Sequence, residues 1–335
     1  MGRWSVQAGE VYRGTERVAV HGLNWFGMGT PDRAPHGLWT GRSVESFMRQ
    51  VRELGFTALR LPLSPQVIRP GYAAAPWARA YGPDGRSVLE RVLGEAERAG
   101  LLVLLSFHTY DPNRLGHDLP GRPFGDGYTK ADWLADLRTL AELAKRYPNV
   151  LGIDLCNEPH KLTWRAWAKL AAEAGREVLK TNPDLLVFVE GVANASDNGG
   201  YGANWGENLT RAGELPGIPG GKLVYSPHVY GPSVHHKPYF GAPEFPANLP
   251  HIWDVHFGHL VDKGYTLVIG EFGGRYAERD RLWQDAFVDY LLARPIRGFF
   301  YWSLNPNSAD TGGLLHDDWR TVHEDKLELL KRLMR

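Results

Sequence analysis

The chain has 335 residues, with 38 basic and 38 acidic side chains, and so carries no formal net charge. This balance gives no sign of a polyanionic partner such as nucleic acid, and no apolar run reaches the roughly 20 residues that a membrane-spanning helix needs. The single cysteine, Cys156, excludes a disulfide within the chain and a zinc site built from cysteines. The 12 tryptophans are unusually many, and exposed indoles at a cleft are typical of proteins that stack sugar rings.

The first four residues, MGRW, contain no apolar segment that could form the core of a signal peptide. We expect a secreted protein given in mature form with an added Met, and an intracellular protein is the alternative. We also expect a monomer that has no membrane partner.

Eight short apolar runs alternate along the chain with amphipathic stretches of helical spacing, as in parallel sheets covered by helices. The predicted strands are residues 18–25, 58–63, 101–108, 151–157, 185–190, 223–228, 266–271 and 298–303. The predicted helices are residues 43–54, 87–99, 131–146, 164–180, 248–263, 281–293 and 325–334. Ser43 is predicted to begin its helix, and Asn182 with Pro183 to end another. Residues 193–220, rich in Gly and Asn, give no pattern for a full helix.

Eight strands that alternate with helices predict a (β/α)8 TIM barrel. We expect one catalytic domain over residues 1–335, with a short β-hairpin at residues 4–14 closing the bottom of the barrel. The main alternative is an open doubly wound sheet, which usually carries a Gly-rich phosphate turn after its first strand. The first strand here ends in GLNW at residues 22–25, which is no such turn.

Almost every predicted strand ends in a polar or aromatic residue. The C-terminal ends of the strands are where a barrel carries its functional groups, so these residues predict an active site at that face. In chain order they are Asn24, Trp25, Arg60, His108, Asn157, Glu158, Glu190, His228, Tyr230, Glu271 and Trp302.

Glu158 and Glu271 end the fourth and seventh predicted strands, on opposite sides of an eight-strand ring. Two carboxyl groups that converge across a barrel mouth suit glycoside hydrolysis, in which one protonates the departing oxygen and the other attacks the anomeric carbon or activates water. We assign Glu158 as the acid/base, which needs a raised pKa, and Glu271 as the nucleophile, which must be ionised. A separation of about 5–5.5 Å between the carboxyl groups would indicate retention of configuration.

The other strand-end residues fit supporting roles around this pair. Arg60 and Tyr230 are predicted to hold Glu271 ionised by hydrogen bonds. Asn157 is predicted to bind a sugar 2-hydroxyl, where contacts strengthen in the transition state. The remaining residues are predicted to contact the sugar, to orient the acid or to form the floor of the site: Asn24, His108, His228 and Trp302.

Several polar and aromatic residues have simpler interpretations. Glu190 fits a hydrogen-bonding brace as well as a substrate contact. We interpret His21 and Asp154 as satisfied polar groups of the core. The pair His235 and His236 is interpreted as part of an exposed loop rather than a metal site, since no carboxylate set at ligand spacing accompanies it. The tryptophans predicted to serve packing alone are Trp4, Trp77, Trp164, Trp167 and Trp283.

Six short motifs resemble, in the right order, those of glycoside hydrolase family 5. They are RLP at 60–62, SFH at 106–108, LCNEP at 155–159, HVY at 228–230, IGEFG at 269–273 and YWS at 301–303. Further segments are similar to those of the bacterial endo-β-1,4-glucanases of this family: HGLW at 36–39, VEGV at 189–192 and DTGGL at 310–314.

The resemblance covers nearly the whole chain and implies a retaining double displacement on a β-linked glucan such as cellulose, with no cofactor and no metal. It also implies substrate contacts from Trp39, Trp205 and Trp302. A β-mannanase or a mixed-linkage β-glucanase is the alternative within the enzyme class. Other than a β-glycanase, the alternatives are a catalytically silent carbohydrate-binding barrel and a metal-dependent barrel hydrolase.

Overall fold

A closed ring of parallel strands forms the centre of the molecule. The computed structural model describes residues 3–114, 116–119, 121–193 and 199–335. The strands of the ring are β4 (His21–Asn24), β5 (Ala58–Leu63), β6 (Leu102–Phe107), β7 (Val150–Asp154), β8 (Leu186–Val189), β9 (Leu223–Tyr225), β10 (His228–Tyr230), β11 (Thr266–Gly273) and β12 (Gly298–Tyr301). Both β9 and β10 pair with β11, as two pieces of one strand, and β12 pairs with β4. The predicted (β/α)8 barrel is therefore confirmed.

Before the barrel, three strands form a separate antiparallel sheet: β1 (Trp4–Gln7), β2 (Glu10–Arg13) and β3 (Glu16–Val18). The predicted hairpin is β1 and β2. The prediction that Val18 belongs to the first barrel strand was wrong. Val18 is the last residue of β3 in the small sheet, where it pairs with Val11 of β2. Trp4, Val6 and Val11 pack with side chains of the barrel interior in one apolar cluster, so this sheet closes the bottom of the barrel as predicted.

The helices cover the outside of the ring, and their apolar faces pack on the outer faces of the strands in a second, larger cluster. Ser43 begins its helix as predicted, with its side chain accepting a hydrogen bond from the backbone of Ser46. None of the described helices is long and apolar enough to cross a membrane. The helices are α1 (Val44–Glu53), α2 (Pro65–Ile68), α3 (Gly85–Arg98), α4 (Lys130–Ala144), α5 (Trp164–Thr181), α6 (Leu249–Trp253), α7 (His259–Asp262), α8 (Glu278–Ala293) and α9 (Glu324–Lys331).

The structure differs from the prediction in two further places. Pro227, which has no N–H to donate, interrupts the sixth strand between β9 and β10. The helix predicted over residues 248–263 consists of α6 and α7 joined by a π-helical turn at Asp254–Gly258. Residues 199–220 contain no α-helix, in agreement with the missing pattern, and residues 194–198 of that segment lie outside the described residues.

Candidate active site

Arg60 is the third residue of β5, level with Asn24 at the end of β4, and it is completely buried. Its Nε and Nη2 donate to Oδ2 of Asp154 at 3.1 and 2.7 Å. Nη2 also donates to Oε1 of Glu190 at 3.1 Å, and Nη1 donates to Oε1 of Glu271 at 2.5 Å. One guanidinium group therefore fixes three carboxyl groups from three different strands or strand ends.

Two asparagines complete the surroundings of Arg60. The register of β4 and β5 places Asn24 opposite Arg60, and Oδ1 of Asn24 accepts from Nη1 at 2.9 Å. Asn24 is completely buried and its amide donates to the carbonyl of Gly270 at 3.2 Å, so its contacts support a brace for Arg60 more than the predicted substrate contact. Asn157 accepts from Nη2 at 3.0 Å and also lines the cleft, where its role toward a sugar stays a prediction.

Glu271 lies within β11, and both of its carboxylate oxygens accept strong hydrogen bonds. Arg60 donates to Oε1, and the hydroxyl of Tyr230 donates to Oε2 at 2.5 Å. Burial and the charge of Glu271 raise the pKa of Tyr230 well above its usual value, so this hydroxyl keeps its proton. The two donors stabilise the charged form of Glu271.

Glu158 follows β7 by four residues instead of ending the strand, which closes at Asp154. Its backbone has φ 46°, a costly value for a residue with a side chain, and its N–H donates to Oε2 of Glu190 at 2.7 Å. Burial, together with the charge of Glu271, raises the pKa of Glu158 to about 7, although the hydrogen bond from His228 acts in the opposite direction. Glu158 can therefore hold a proton near neutral pH.

The two glutamates meet across the mouth of the barrel. One ligand atom each from Glu158, His228 and Glu271 lies within 4.8 Å of the others. Nδ1 of His228 lies between the carboxyl groups, 3.1 Å from Oε1 of Glu158 and 3.4 Å from Oε2 of Glu271. The carboxylate oxygens of Glu158 and Glu271 therefore come closer together than the roughly 6.5–9.5 Å between carboxyl groups that leaves room for a water in inverting enzymes.

Two more carboxyl groups lie beneath this pair, and the sequence did not reveal their arrangement. Asp154, predicted to be a satisfied core residue, is the main partner of Arg60 and also accepts from the hydroxyl of Ser106 at 3.2 Å. Burial and the charge of Asp154 raise the pKa of Glu190 well above its usual value. The contacts of Glu190 with Arg60 and with the backbone of Glu158 favour the brace over the substrate contact.

A cleft of about 400 Å³ opens above the two glutamates, within the size range of small-molecule sites. Trp302 lines it and stacks on Phe26 and His108 with ring centroids 5.3 and 6.0 Å apart. On another part of its wall, Trp205 stacks on His160 at 3.9 Å. Lining residues that sequence reasoning missed are Ala203, Asn204, Val234, Lys237, Ser308 and Asp310.

Trp39 does not line this cleft, although 42% of it is exposed. Its ring meets those of Trp77 and Trp319 edge to face, each at 5.1 Å. Trp77 is only partly buried, whereas the other tryptophans predicted to serve packing are buried. His235 is exposed, as predicted for a loop residue, and lines the cleft. A sugar contact at Trp39 stays a prediction.

The carboxylate and histidine groups could also suggest a metal site. Among the described residues, two sets have ligand atoms within 4.8 Å of one another: Asp154, Glu190 and His228, and Glu158, His228 and Glu271. Arg60 already forms ion pairs with Asp154, Glu190 and Glu271. Its guanidinium charge would repel a metal cation bound at these carboxylates. The geometry thus favours proton transfer over metal binding.

A parallel (β/α)8 barrel with two facing glutamates at its C-terminal end is the architecture of a glycoside hydrolase. The model of the family described as cellulase (glycosyl hydrolase family 5) matches residues 14–308. The major extracellular endoglucanase of Xanthomonas campestris pv. campestris is 41% identical, over 94% of this chain and 68% of that protein. An endoglucanase of Paenibacillus polymyxa is 37% identical, over 96% of this chain and 84% of that protein.

Solved structures agree with the sequence comparisons. The endocellulase from Pyrococcus horikoshii, in a complex with cellotetraose, has a TM-score of 0.93 and 36% identity, and the match covers 99% of this chain and 98% of that chain. The catalytic domain of the Xanthomonas campestris enzyme has a TM-score of 0.91 and 38% identity, over 99% of both chains. This chain belongs to the cellulase family, glycosyl hydrolase family 5, and the resemblance seen in its motifs is confirmed.

Proposed function

We propose that this chain is a retaining endo-β-1,4-glucanase that cleaves internal bonds of cellulose and related β-glucans. The observation that carries the proposal is a pair of carboxyl groups that bring one oxygen each within 4.8 Å, one group held by two strong donors and the other with a raised pKa. Such a difference between two facing carboxyl groups separates a nucleophile from a proton donor. The names of the family and of the relatives above support the β-1,4-glucan as substrate.

In the first step, the carboxylate of Glu271 attacks the anomeric carbon while Glu158 gives its proton to the glycosidic oxygen. The bond between these two substrate atoms breaks, and a glycosyl ester forms on Glu271. In the second step, Glu158 removes a proton from water, the water oxygen attacks the anomeric carbon, and the Glu271 carboxylate is released. Two inversions give net retention, and no further reactant is needed.

The same contacts explain how Glu158 can act first as an acid and then as a base. The negative charge of Glu271 is one of the causes that raise the pKa of Glu158. This charge disappears when Glu271 becomes an ester, so the pKa of Glu158 falls in the intermediate. Glu158 is thereby ionised when the second step requires a base. His228, which contacts both carboxyl groups, keeps them aligned throughout.

The pH dependence follows from the protonated form of Glu158. Its pKa is raised to about 7, so the free enzyme loses its proton donor as the pH rises through this value. We expect kcat/KM on cello-oligosaccharides to fall about tenfold per pH unit above about 7. Initial rates measured from pH 5 to 9 test this prediction, and a profile that stays flat up to pH 9 would contradict the role of Glu158.

The variant Glu158→Gln is the control for the fall of kcat/KM at alkaline pH. It should lose the alkaline decline together with most of its activity on natural substrates. A dinitrophenyl β-cellobioside, whose leaving group needs no proton, should still be attacked by Glu271 in this variant. If kcat/KM of Glu158→Gln still fell above about pH 7, a group other than Glu158 would have to cause the decline.

The substrate is tested by the release of reducing ends from carboxymethylcellulose, glucomannan and mannan. We expect the highest kcat/KM on carboxymethylcellulose, together with a rapid fall in viscosity, because an endo-acting enzyme cuts within the chain. Preference for mannan would favour the β-mannanase alternative. The absence of hydrolysis with all three polysaccharides and with mixed-linkage β-glucan would contradict the proposed function.

The setting of the enzyme is also part of the proposal. We propose a secreted enzyme that acts as a monomer on polysaccharide or oligosaccharide, and the extracellular endoglucanase of Xanthomonas campestris supports the location. Residues 1–335 are proposed to act as a single catalytic domain. The small sheet supports this proposal because it shares one apolar cluster with the barrel interior. Size-exclusion chromatography with light scattering tests the monomer.

A further inference from the structure

Lys326, in α9, is a buried lysine far from the two glutamates in sequence. Only 3% of it is exposed, and Nζ donates to the carbonyl of Thr311 at 2.9 Å and of Gly313 at 2.7 Å. Burial lowers its pKa to about 8. Burying an ammonium group against backbone carbonyls is unfavourable compared with an apolar side chain of similar length, so packing alone does not account for a lysine here.

The carbonyls that Lys326 holds belong to a tight loop at residues 308–313. The hydroxyl of Thr311 donates to Oγ of Ser308 at 2.9 Å, and the backbone N–H of Gly312 donates to the carbonyl of Ser308 at 2.8 Å. Gly313 has φ 63°, and a side chain there would meet the carbonyl oxygen of Asn305 at 1.9 Å. The loop is therefore closely packed, and Lys326 holds two carbonyls of its C-terminal half.

The front of this loop forms part of the cleft. Ser308 and Asp310 line it beside Trp302. The indole Nε1 of Trp302 donates to Oγ of Ser308 at 3.0 Å, and Oγ of Ser308 in turn donates to Oδ1 of Asp310 at 2.9 Å. The plane of the indole is thus set by a side chain whose position depends on the loop.

We infer that Lys326 is a positioning residue for sugar binding, which holds Trp302 and Asp310 in the cleft through Thr311 and Ser308. Its effect on substrate rests on the proposed function, whereas its effect on the indole does not. Lys326 lies beyond residues 14–308, the part of the chain that the family model matches. Helix α9 thus takes part in building the cleft, in addition to covering the barrel.

The direct test is the environment of Trp302 in Lys326→Met. In protein labelled with 5-fluorotryptophan, the ¹⁹F resonance of Trp302 is assigned by its loss in Trp302→Phe. We expect that resonance to shift or broaden in Lys326→Met and to return toward the wild-type position in Lys326→Arg, which still donates. The matched control is Lys222→Met, since Lys222 also donates to backbone carbonyls, those of Trp4 and Asp184, at the bottom of the barrel.

Kinetics provide the second readout. Stacking on Trp302 exists in both the ground state and the transition state, so its loss raises KM more than it lowers kcat. We expect KM for cello-oligosaccharides to rise about fivefold to tenfold in Lys326→Met, from the typical strength of aromatic stacking, with kcat within about threefold of wild type. Ser308→Ala should raise KM similarly, and the double variant should be no worse than the single ones, because both act through one contact.

Three results overturn the inference: an unchanged Trp302 resonance in Lys326→Met, a shift equal to that in Lys222→Met, or additive effects on KM. If Lys326→Met does not fold, Thr311→Val tests the same relay, since it removes the hydroxyl that donates to Ser308 at 2.9 Å and accepts weakly from the N–H of Gly313 at 3.5 Å. Wild-type protein that hydrolyses no β-glucan would contradict the proposed function alone, because the ¹⁹F comparison does not depend on turnover.

Discussion

Replacing Glu271 by Gln is expected to lower kcat on β-glucans by about 10⁴-fold or more, the scale seen when a catalytic nucleophile is removed. The amide has nearly the same shape and can still accept a hydrogen bond from Arg60, but it cannot form the glycosyl ester. Binding of cellotetraose, measured by calorimetry, should stay within about threefold of wild type, because the stacking residues are unchanged.

Glu177→Gln is a matched control for this prediction. Glu177 is a surface residue paired with Arg138, and its replacement should leave both kcat and binding as in the wild type. If Glu271→Gln kept more than about one hundredth of wild-type kcat, another group would have to be the nucleophile. The same experiment distinguishes an enzyme from a catalytically silent binding barrel. If the chain were a silent barrel, wild type and Glu271→Gln would bind cellotetraose equally and neither would hydrolyse β-glucan.

Arg60→Met is expected to have the second largest effect, on folding as well as on catalysis. Arg60 is completely buried and contacts Asp154, Glu190 and Glu271, which are buried too. Without the guanidinium these carboxyl groups lack their positive partner, so we expect a loss of about 3–5 kcal/mol in the free energy of unfolding. We also expect kcat to fall at least about 10²-fold, because Glu271 loses a charge-assisted donor.

Urea denaturation and steady-state kinetics measure these two effects. Arg138→Met is the control, since Arg138 makes a half-exposed ion pair with Glu177, and it should lose less than about 1 kcal/mol. Equal losses in the two variants would mean that the buried network does not depend on Arg60. Unchanged kcat in folded Arg60→Met would mean that Arg60 supports the fold but not the state of Glu271.

Much of the barrel could be predicted because each parallel strand is buried on both faces and so forms a continuous apolar run. The ends of these runs also indicated Glu271, Arg60 and Tyr230, and the structure places both donors on that carboxylate. Position explains these contacts, because side chains that point into a closed barrel meet near its C-terminal face even from strands that are not adjacent, such as β5 and β11. The catalytic roles of these residues stay predictions.

Other features depend on contacts that no local pattern shows. The positive φ of Glu158 is stabilised by Glu190, which lies 32 residues away in the chain. The sequence around Asp154 does not distinguish it from any other buried polar residue, because its contact with Arg60 exists only in the folded barrel. Trp39 belongs to the HGLW segment at 36–39, yet it does not line the cleft. The shape of the cleft is set by loops rather than by strands. Contacts that depend on loop geometry therefore could not be predicted from the sequence.

In the proposed mechanism, Glu271 forms a covalent bond with the sugar. A 2-deoxy-2-fluoro-β-cellobioside with a dinitrophenolate leaving group slows both steps but keeps the first one faster, so the glycosyl-enzyme accumulates. Mass spectrometry of the intact protein and of its peptides should then show one fluorinated cellobiosyl group, attached to Glu271. A label on Glu158 or on any other residue, or turnover of the reagent with inverted configuration and no adduct, would show that Glu271 is not the nucleophile of a retaining enzyme.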